Sequence, residues 1–379
     1  MNRIYLDSAA TSRMDGAVIE AMSASMSEIY GNPSSSHQYG RAAKSKIERA
    51  RRNIAKLLNV TPSEIVFTAG GSEADNMILR NAVCHLGVKR IISSKIEHHA
   101  VLHTLDVLEE DEGLQVDYVN LNENGLVDMD HFEQLVSDTT HKTLVSLMFV
   151  NNEIGTVLEA KKVSDLCKQY DALFHSDAVQ VIGHYNLDLQ EIPIDFIVAS
   201  AHKFHGPKGV GFAYFRKGIG IKPLLTGGAQ ERGARAGTEN VHGIVGMDKA
   251  LEIVYKNIDE ESAYVNGIKK YLLKRLKEEI PGVAFNGCPE DEERSNYCLL
   301  NVRFPGNSDM LLFSLDIKGI AASGGSACQS GASGGSHVLN TILPAEEAKK
   351  TSVRFSFSKF NTIEEMDEVI VALKDILKL

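Results

Sequence analysis

The chain has 379 residues, of which 43% are hydrophobic and 24% charged, so its composition is that of an ordinary globular protein with one to three domains. Forty lysine and arginine residues against fifty aspartate and glutamate residues give a net charge of −10, which disfavours nucleic acid as a direct partner because phosphates are repelled. The apolar runs are too short to span a bilayer, and the amino terminus has no signal-peptide core. We therefore expect a cytoplasmic protein without membrane contact.

The cysteines and histidines do not form a pattern typical of a metal site. The chain has five cysteines and no C-x-x-C pair, which argues against a disulfide framework and against a zinc ribbon. The pairs His98-His99 and His202-x-x-His205 lack a third ligand at a suitable spacing. We expect no bound metal.

The first two-thirds of the chain alternate between helical and strand patterns. Apolar residues at 43, 47, 50, 54 and 58 predict an amphipathic helix. Runs rich in β-branched and aromatic residues then predict strands at 64–68, 90–93, 115–120, 142–150, 172–176, 194–200 and 210–215. Strands separated by helices predict an α/β fold, with a large domain at residues 16–243 whose mostly parallel sheet is sandwiched by helices.

The C-terminal third has a different character. A long helical stretch begins near residue 243, strands follow near 299–304 and 351–356, and apolar residues at 363, 366, 369, 370 and 373 predict a final helix. We predict a smaller α+β domain at residues 1–15 and 244–379. Its segment 323–336 is almost entirely Gly, Ala and Ser around Cys328, which predicts a mobile loop. Taken alone, a flexible linker with an incidental cysteine is the simpler interpretation.

Glycines follow the strand predicted at 64–68. Gly70 and Gly71 allow a close approach of the backbone, and Ser72 is expected to cap the next helix, which would leave N–H groups for an anion. The pattern is compatible with a phosphate site, although this feature taken alone favours a plain glycine turn with an N-cap.

Two further strand ends bear charged residues. Asp177 follows the strand predicted at 172–176, and Lys203 follows the one at 194–200. Their separation suits one crossover between parallel strands, so both should stand at neighbouring strand ends, where ligands of α/β sheets bind. A solvated salt bridge would explain this pair simply. A lysine that forms a Schiff base, an aspartate for a pyridine nitrogen and a phosphate site are, however, the three requirements of pyridoxal phosphate.

At this point the chain resembles a known family along nearly its whole length. Matching motifs occur, in order, at residues 5–11, 31–35, 97–98, 150–155, 200–209, 230–238, 326–328 and 353–356. The chain is similar to the cysteine desulfurases of the NifS/IscS type, which are class V, fold-type I enzymes dependent on pyridoxal 5'-phosphate.

The resemblance implies a set of residues that bind the cofactor: Gly71, Ser72, His98, Asn152, Asp177, Gln180, Ser200, His202, Lys203 and Thr238. Lys203 would hold the cofactor and move protons at the substrate Cα, Asp177 would pair with the ring nitrogen, and His98 would stack on the ring as a further catalytic residue. Gln180 and Asn152 would lie at the edge of the phenolic oxygen.

The phosphate and the substrate are assigned in the same way. Gly71, Ser72, Ser200 and His202 would hold the phosphate, and Thr238 would reach the phosphate of a neighbouring subunit, which implies a homodimer. Arg354 would bind the substrate carboxylate in a fork geometry, with Asn152 nearby.

The implied reaction removes sulfur from L-cysteine, giving L-alanine and a persulfide on Cys328. A sulfur-acceptor protein would then receive the sulfur for iron–sulfur cluster assembly or for thiolation of tRNA or a cofactor. A selenocysteine lyase, or another class V aminotransferase or lyase, remains the alternative; Cys328 disfavours a transaminase, which needs no second nucleophile. Residues 331–336 depart from the Leu-Glu-Pro-Ser stretch usual after this cysteine, which leaves the acceptor open. A catalytically silent scaffold would have no use for the complete set of site residues.

Overall fold

A computed structural model describes residues 3–308, 310–324 and 335–379 of the protein. The first part of the chain contains β1 (Ile4–Tyr5), α1 (Gly16–Glu28), α2 (Gln38–Leu57), β2 (Ile65–Thr68), α3 (Gly71–His85), β3 (Arg90–Ser93), α4 (His99–Glu112), β4 (Gln115–Tyr118), α5 (Met129–Val136), β5 (Thr143–Ser146), α6 (Ala160–Gln169), β6 (Leu173–Asp177), β7 (Phe196–Ser200) and β8 (Gly211–Phe215). The remainder contains α7 (Val241–Lys256), α8 (Ile258–Glu279), β9 (Ala284–Asn286), β10 (Leu299–Arg303), α9 (Leu311–Ile317), β11 (Ile320–Ala321), α10 (His337–Ile342), α11 (Ala345–Ala348), β12 (Ser352–Ser356) and α12 (Ile363–Leu377).

Seven strands form one mostly parallel sheet, which confirms the predicted fold class. Their order is β2-β8-β7-β6-β5-β3-β4, with β7 through β4 parallel and β8 antiparallel to both of its neighbours. The strand predicted at 142–150 is shorter, because the chain leaves the ladder after Ser146 and Val150 forms an isolated bridge with Val157. The strand thus covers only the first part of the predicted range.

Both faces of this sheet are buried. Along β7, Ile197 packs into one apolar cluster with α2 and α7, whereas Phe196 and Val198 pack into a second cluster with α3 and α4. Burial on both faces is typical of parallel sheets, because crossover connections cover both sides. No helix within the described ranges combines the length and the apolar character that crossing a bilayer requires.

The C-terminal part has a separate core around the antiparallel sheet β9-β10-β12. Helices α8 and α12 pack on it, and Ile4 and Leu6 from the start of the chain join the same cluster. The boundary expected at residue 243 falls inside α7, whose Ile244 and Met247 pack in the larger core. The division of the chain into two domains stays a prediction.

Candidate active site

A cavity of about 240 Å³ lies at the carboxyl ends of β6 and β7, where α3 and α4 begin. Its lining residues are Ala9, Ala10, Gly71, Ser72, Asp75, His98, His99, Met148, Asn152, Glu153, Asp177, Val179, Gln180, Ser200, His202, Lys203, His337 and Arg354. All the site residues expected from the sequence are among them, apart from Thr238 and Cys328.

One end of the cavity is suited to an anion. Helix α3 begins at Gly71, and the N–H groups of its first turn have no intrahelical partner, as in any helix. The preceding Gly70 has no side chain that could cap them, so they can bind an anion. The expected capping role of Ser72 is wrong, because Ser72 is already the second residue of the helix. The Nδ1 atom of His202 is buried with no hydrogen-bond partner among the described residues, and Ser200 lines the same cavity.

Close packing explains why a glycine begins this helix. A Cβ atom at Gly71 would lie 2.8 Å from the Cγ2 atom of Val179, a distance that real Cβ atoms do not tolerate.

Burial, reinforced by Lys203 and Lys208, lowers the pKa of His202 to about 4. His202 is therefore neutral near pH 7, with one ring nitrogen able to donate a hydrogen bond.

Asp177 and Lys203 stand at neighbouring strand ends, as expected. Asp177 is the last residue of β6 and pairs in register with Val198 of the parallel strand β7. Lys203 ends the short 3-10 turn that follows β7. The Oδ1 atom of Asp177 accepts a hydrogen bond from the N–H of Val179 at 2.9 Å, which fixes the carboxylate.

The start of the chain closes the cavity beside Lys203. The Nζ atom of Lys203 donates to the carbonyl oxygens of Ala9 at 2.7 Å and Ala10 at 3.0 Å. The side-chain amide of Gln180 also donates to the Ala9 carbonyl, at 3.1 Å. Two side chains, those of Lys203 and Gln180, therefore meet at the backbone carbonyl of Ala9.

His98 both caps a helix and lines the cavity. Its Nδ1 atom accepts a hydrogen bond from the N–H of Ala100 at 3.1 Å, as the N-cap of α4. Burial lowers the pKa of His98, and the nearby Asp177 partly offsets this effect. The cap fixes the orientation of a neutral ring at the cavity wall.

Arg354 joins three chain segments at the wall of the cavity. It lies on β12 and is 1% exposed; its Nη1 donates to the carbonyl of Asn152 at 2.8 Å and its Nη2 to Oδ1 of Asp7 at 2.9 Å. Its Nε atom is buried and, within the described part of the chain, unpaired. The guanidinium is thus held in place while its Nε–H group is still unpaired.

Two buried carboxyl groups, of Asp75 and Asp177, line the cavity, and that of Glu97 is buried close enough to act on both. Burial raises the pKa of Asp177, although His98 and Lys203 oppose the shift. Burial also raises the pKa of Glu97 to about 8 and, together with the charges of Asp177 and Glu97, raises that of Asp75 well above its ordinary range. The site would accommodate a positive group next to these carboxyls.

Several lining residues escaped the sequence reasoning. Ala9 and Ala10 act through backbone carbonyls, which leave no side-chain signal. Asp75 did leave one, because it is a carboxylate on the buried apolar face of α3, beside Ala74 and Ile78. Glu153, which is fully buried, had no comparable pattern around it.

Histidines cluster at the cavity mouth without forming a metal site. The ring of His99 lies 4.9 Å from that of His103 and 4.4 Å from that of His337. Burial, together with the neighbouring His337 and His103, lowers the pKa of His99 to about 4. Over the ranges that the structure describes, no three His, Cys, Asp or Glu side chains are arranged to bind a metal ion.

Two expected site residues are not brought to this cavity. Thr238 is exposed and lines a different cavity of about 140 Å³, together with Thr68, Glu231 and Arg235. Cys328, within residues 325–334, lies outside the described residues.

The fold and the site together define a class of protein. A mostly parallel sheet whose neighbouring strand ends bear an aspartate and a lysine, next to an uncapped helix start, is the arrangement of fold-type I pyridoxal-phosphate enzymes. The family described as aminotransferase class-V matches residues 4–369, and the chain belongs to this family.

Individual relatives agree over the full length of the chain. A protein from Clostridium botulinum named cysteine desulfurase IscS is 42% identical, with 100% of this chain and 95% of that protein covered. A solved structure named NifS-like protein is 37% identical, covers both chains completely and gives a TM-score of 0.91. A structure described as SspA in complex with cysteine is 31% identical, covers 95% of this chain and 100% of that one, and gives a TM-score of 0.82.

Members of the class V family depend on pyridoxal phosphate, and the cavity fits this cofactor. The unpaired Nδ1 of His202 and the uncapped start of α3 suit a phosphate group. The buried carboxyl of Asp177 suits a protonated ring nitrogen, because a cation would offset the burial that raises its pKa. The amine of Lys203 lies in the same cavity.

Proposed function

We propose that this protein is a pyridoxal-phosphate-dependent cysteine desulfurase, which converts L-cysteine to L-alanine and retains the sulfur as a persulfide on Cys328. The single observation behind the proposal is one cavity that joins Lys203 and Asp177, at neighbouring strand ends, to the buried guanidinium of Arg354. The full-length similarity to proteins named cysteine desulfurase supports the same reaction.

The part of the cavity formed by Asp177, Lys203 and the start of α3, here called the inner wall, is assigned to the cofactor. When bound, pyridoxal phosphate withdraws electrons from the substrate Cα and so weakens its bonds. Asp177 would keep the ring nitrogen protonated, and His98, fixed through its Nδ1, would support the face of the ring. Lys203 would hold the cofactor through Nζ and then take and return the proton at the substrate Cα.

The part of the cavity formed by Arg354 and the groups that hold it, here called the outer wall, is assigned to the substrate. The unpaired Nε–H of Arg354, together with remaining N–H groups of its fork, would donate to the carboxylate of L-cysteine. Asp7 and the Asn152 carbonyl already hold the guanidinium, so little side-chain entropy is lost when the substrate binds. Recognition of the carboxylate would orient the substrate Cα toward Lys203.

Sulfur transfer is assigned to Cys328 on the basis of the sequence. Its thiolate would form a bond to the substrate sulfur while the bond between that sulfur and Cβ breaks. The electron pair of the broken bond stays with the carbon skeleton, which takes up protons to become alanine. One thiol and one cysteine thus give one persulfide and one alanine, so no outside oxidant is required.

The reaction is tested with purified enzyme, L-cysteine and two matched cysteine variants. The wild type should show the absorption band of bound pyridoxal phosphate, form alanine, and gain one sulfur atom on the peptide containing Cys328 by mass spectrometry. Cys328→Ser should keep the absorption band and lose persulfide and alanine formation, whereas Cys84→Ser, at an exposed thiol, should behave like the wild type. Alanine release by Cys328→Ser at the wild-type rate would contradict the assignment. A strong preference for selenocysteine would favour the lyase.

We also propose a homodimer with shared active sites. Thr238 is exposed and lies away from the cavity of its own chain, which suits a role at the phosphate of a second subunit. The partly exposed Leu224 and Leu225 nearby would be covered in such a dimer. Mixing inactive Lys203→Ala and Thr238→Ala proteins should restore part of the activity through hybrid dimers. Light scattering that finds an active monomer would contradict the shared site.

A sulfur-acceptor protein completes the proposed function. A persulfide on a Gly/Ser-rich segment must pass its outer sulfur to another thiolate, and we propose that iron–sulfur cluster assembly or a thiolation reaction receives it. Radioactive sulfur from labelled cysteine should move from the wild-type enzyme to a scaffold or thiolation protein. If labelled free sulfide labels that protein at the same rate as the enzyme does, the protein does not dock on the enzyme.

A further inference from the structure

A histidine that the proposed reaction does not use contacts the backbone of Lys203. The Nε2 atom of His184 lies 3.2 Å from the carbonyl oxygen of Lys203, and its Nδ1 atom lies 3.1 Å from the hydroxyl oxygen of Tyr297. The two contacts form one chain of hydrogen bonds that runs from Tyr297 through the imidazole ring to the lysine backbone. Among the described residues that line the active-site cavity, neither His184 nor Tyr297 occurs. Any effect of this pair on the reaction must therefore act through Lys203.

The hydrogen positions in this chain follow from its ends. A carbonyl oxygen can only accept, so the ring hydrogen of His184 lies on Nε2 and points at Lys203. Burial lowers the pKa of His184 to about 4, so the ring is neutral near pH 7 and its Nδ1 keeps a lone pair. Burial also raises the pKa of Tyr297 well above its ordinary value, so its hydroxyl group keeps its hydrogen and donates to Nδ1. Both donors thus point from Tyr297 toward Lys203.

Close packing brings His184 against the turn that contains Lys203. The preceding Gly183 has a φ of +81°, and a Cβ atom at this position would collide with the Cβ atom of Phe204. Glycine permits this approach, which places the next residue, His184, beside the lysine carbonyl. After the lysine, His205 adopts a left-handed backbone conformation with a φ of +64°, which costs free energy for a residue with a side chain. A turn of this kind needs contacts that fix it.

The start of the chain holds the same turn from its other side. The N–H and the hydroxyl group of Ser12 both donate to the carbonyl of His202, at 2.7 and 2.8 Å. The hydroxyl oxygen of Ser12 also accepts from the N–H of His205 at 2.7 Å. Ser12 therefore fixes the backbone before and after Lys203, and the carbonyl of Lys203 between these two points is bound by His184.

Tyr297 belongs to the part of the chain that carries Arg354. It packs against the C-terminal core two residues before β10, and β10 pairs with β12 so that Asn301 lies opposite Arg354. Lys203, in contrast, follows β7 of the seven-stranded sheet. The chain of hydrogen bonds thus joins the sheet that bears the arginine of the outer wall to the turn that bears the lysine of the inner wall.

We propose that His184 and Tyr297 are positioning residues for Lys203: their hydrogen bonds fix the lysine backbone relative to the sheet that carries Arg354, and so align the amine with the Cα of a substrate held at Arg354. A misplacement of about 1 Å is enough to slow a reaction strongly, because proton transfer needs direct contact between donor and acceptor. The inference rests on the proposed function for the role of Lys203 as the proton carrier.

The test separates proton transfer from the sulfur chemistry. Enzyme loaded with pyridoxal phosphate is incubated with L-alanine in deuterated water, and NMR follows the replacement of the Cα hydrogen by deuterium per bound cofactor. The hydrogen leaves as a proton to the Lys203 amine, which exchanges with solvent and returns a deuteron. Tyr297→Phe should slow this exchange about 10-fold, while the affinities for cofactor and for L-alanine stay within about two-fold of the wild type.

The matched control is Tyr185→Phe. The ring of Tyr185 packs against that of Tyr297 with centroids 5.6 Å apart, and its hydroxyl group donates to no described residue. This variant should exchange at the wild-type rate. Equal rates in Tyr297→Phe and Tyr185→Phe overturn the proposal. A loss in Tyr297→Phe that appears only as weaker binding of cofactor or L-alanine also overturns it, because a purely structural role has that effect.

A pair of variants at His184 covers the case in which Tyr297→Phe does not fold. His184→Gln places an amide N–H group near the position of Nε2, whereas His184→Leu has no donor. His184→Leu should slow the exchange at least as much as Tyr297→Phe, and His184→Gln should recover most of the lost rate. Glutamine that is no faster than leucine overturns the role of the Nε2–H group.

The wild type distinguishes this inference from the proposed function. Wild-type enzyme that binds pyridoxal phosphate but exchanges no Cα hydrogen of L-alanine overturns the role assigned to Lys203, and this inference with it. Normal exchange by the wild type, together with an unchanged rate in Tyr297→Phe, overturns this inference alone.

Discussion

The two walls of the cavity are built in different ways. The inner wall, with Asp177 and Lys203, is set by the pairing of two adjacent parallel strands. The outer wall depends on side-chain contacts between distant parts of the chain, since Arg354 bonds to Asn152, 202 residues away, and to Asp7, 347 residues away. Backbone ladders tolerate changes of side chain, whereas a wall made of single side-chain bonds does not. Substitutions in the inner wall should therefore act on cofactor chemistry alone, and those in the outer wall on substrate recognition.

The largest expected effect is at the inner wall. Lys203→Ala should lower kcat by about 10⁴-fold or more, because it removes both the group that holds the cofactor and the proton carrier. The cofactor-free variant should keep the circular dichroism of the cofactor-free wild type, since water can replace the Lys203 amine as donor to the carbonyls of Ala9 and Ala10. A variant that unfolds would show that the inner wall is not independent of these side chains.

Substitutions in the outer wall should mainly raise the KM for L-cysteine. Arg354→Lys should lower kcat/KM for L-cysteine by about 10²–10³-fold, because lysine cannot make the paired, charge-assisted bonds of a guanidinium. Asp7→Asn should have a smaller effect of about 10-fold, since it only loosens the guanidinium. Affinity for pyridoxal phosphate should stay near that of the wild type in both variants. Loss of cofactor from Arg354→Lys would erase the proposed distinction between the two walls.

The third comparison is the pH dependence of stability, and it concerns Glu97, a buried carboxyl group behind the cavity that acts on Asp177. Glu97 titrates at about 8 in the folded protein against 4.5 for a free group, so the native state binds the extra proton and loses stability as pH rises between these values. Glu97→Gln should abolish that loss, a relative gain on the order of a few kcal/mol at pH 8 over pH 5. Urea unfolding of the cofactor-free protein measures it, with exposed Glu123→Gln as control. Parallel pH curves for wild type and Glu97→Gln would refute the assignment.

The smallest effect concerns an anchor of the outer wall. Ser336 caps α10 by accepting from the N–H of Leu339 at 3.0 Å, and its hydroxyl also donates to Glu153 in the cavity wall. Ser336→Ala should cost about 1 kcal/mol of unfolding free energy, whereas Ser336→Thr should keep most of the cap. If both variants unfold at the same urea concentration, the hydroxyl is not what anchors this helix.

Much of the inner wall was predictable from the sequence. Asp177 and Lys203 each follow a recognisable strand, and adjacent parallel strands end at the same edge of a sheet, so local pattern and one topological rule together bring them near each other. The same holds for Gly71 and the phosphate end, where a glycine turn precedes an amphipathic helix. The cap assigned to Ser72 was wrong because a helix start is uncertain by one or two residues in any reading of sequence alone.

Only the tertiary structure decided which groups hold Arg354 in the outer wall and which groups contact Lys203 in the inner wall. The bonds from Arg354 to Asp7 and Asn152 join segments with no shared pattern, and the Ala9 carbonyl accepts from Lys203 without any side chain of its own. Asp75 was visible as a polar residue on an apolar helix face, but that it lines the same cavity as Asp177 could not be predicted. The periodicity of apolar residues predicts which face of a helix or strand is buried. Which groups meet at that face depends on how separate elements pack, and this packing is determined by contacts between residues distant in the sequence.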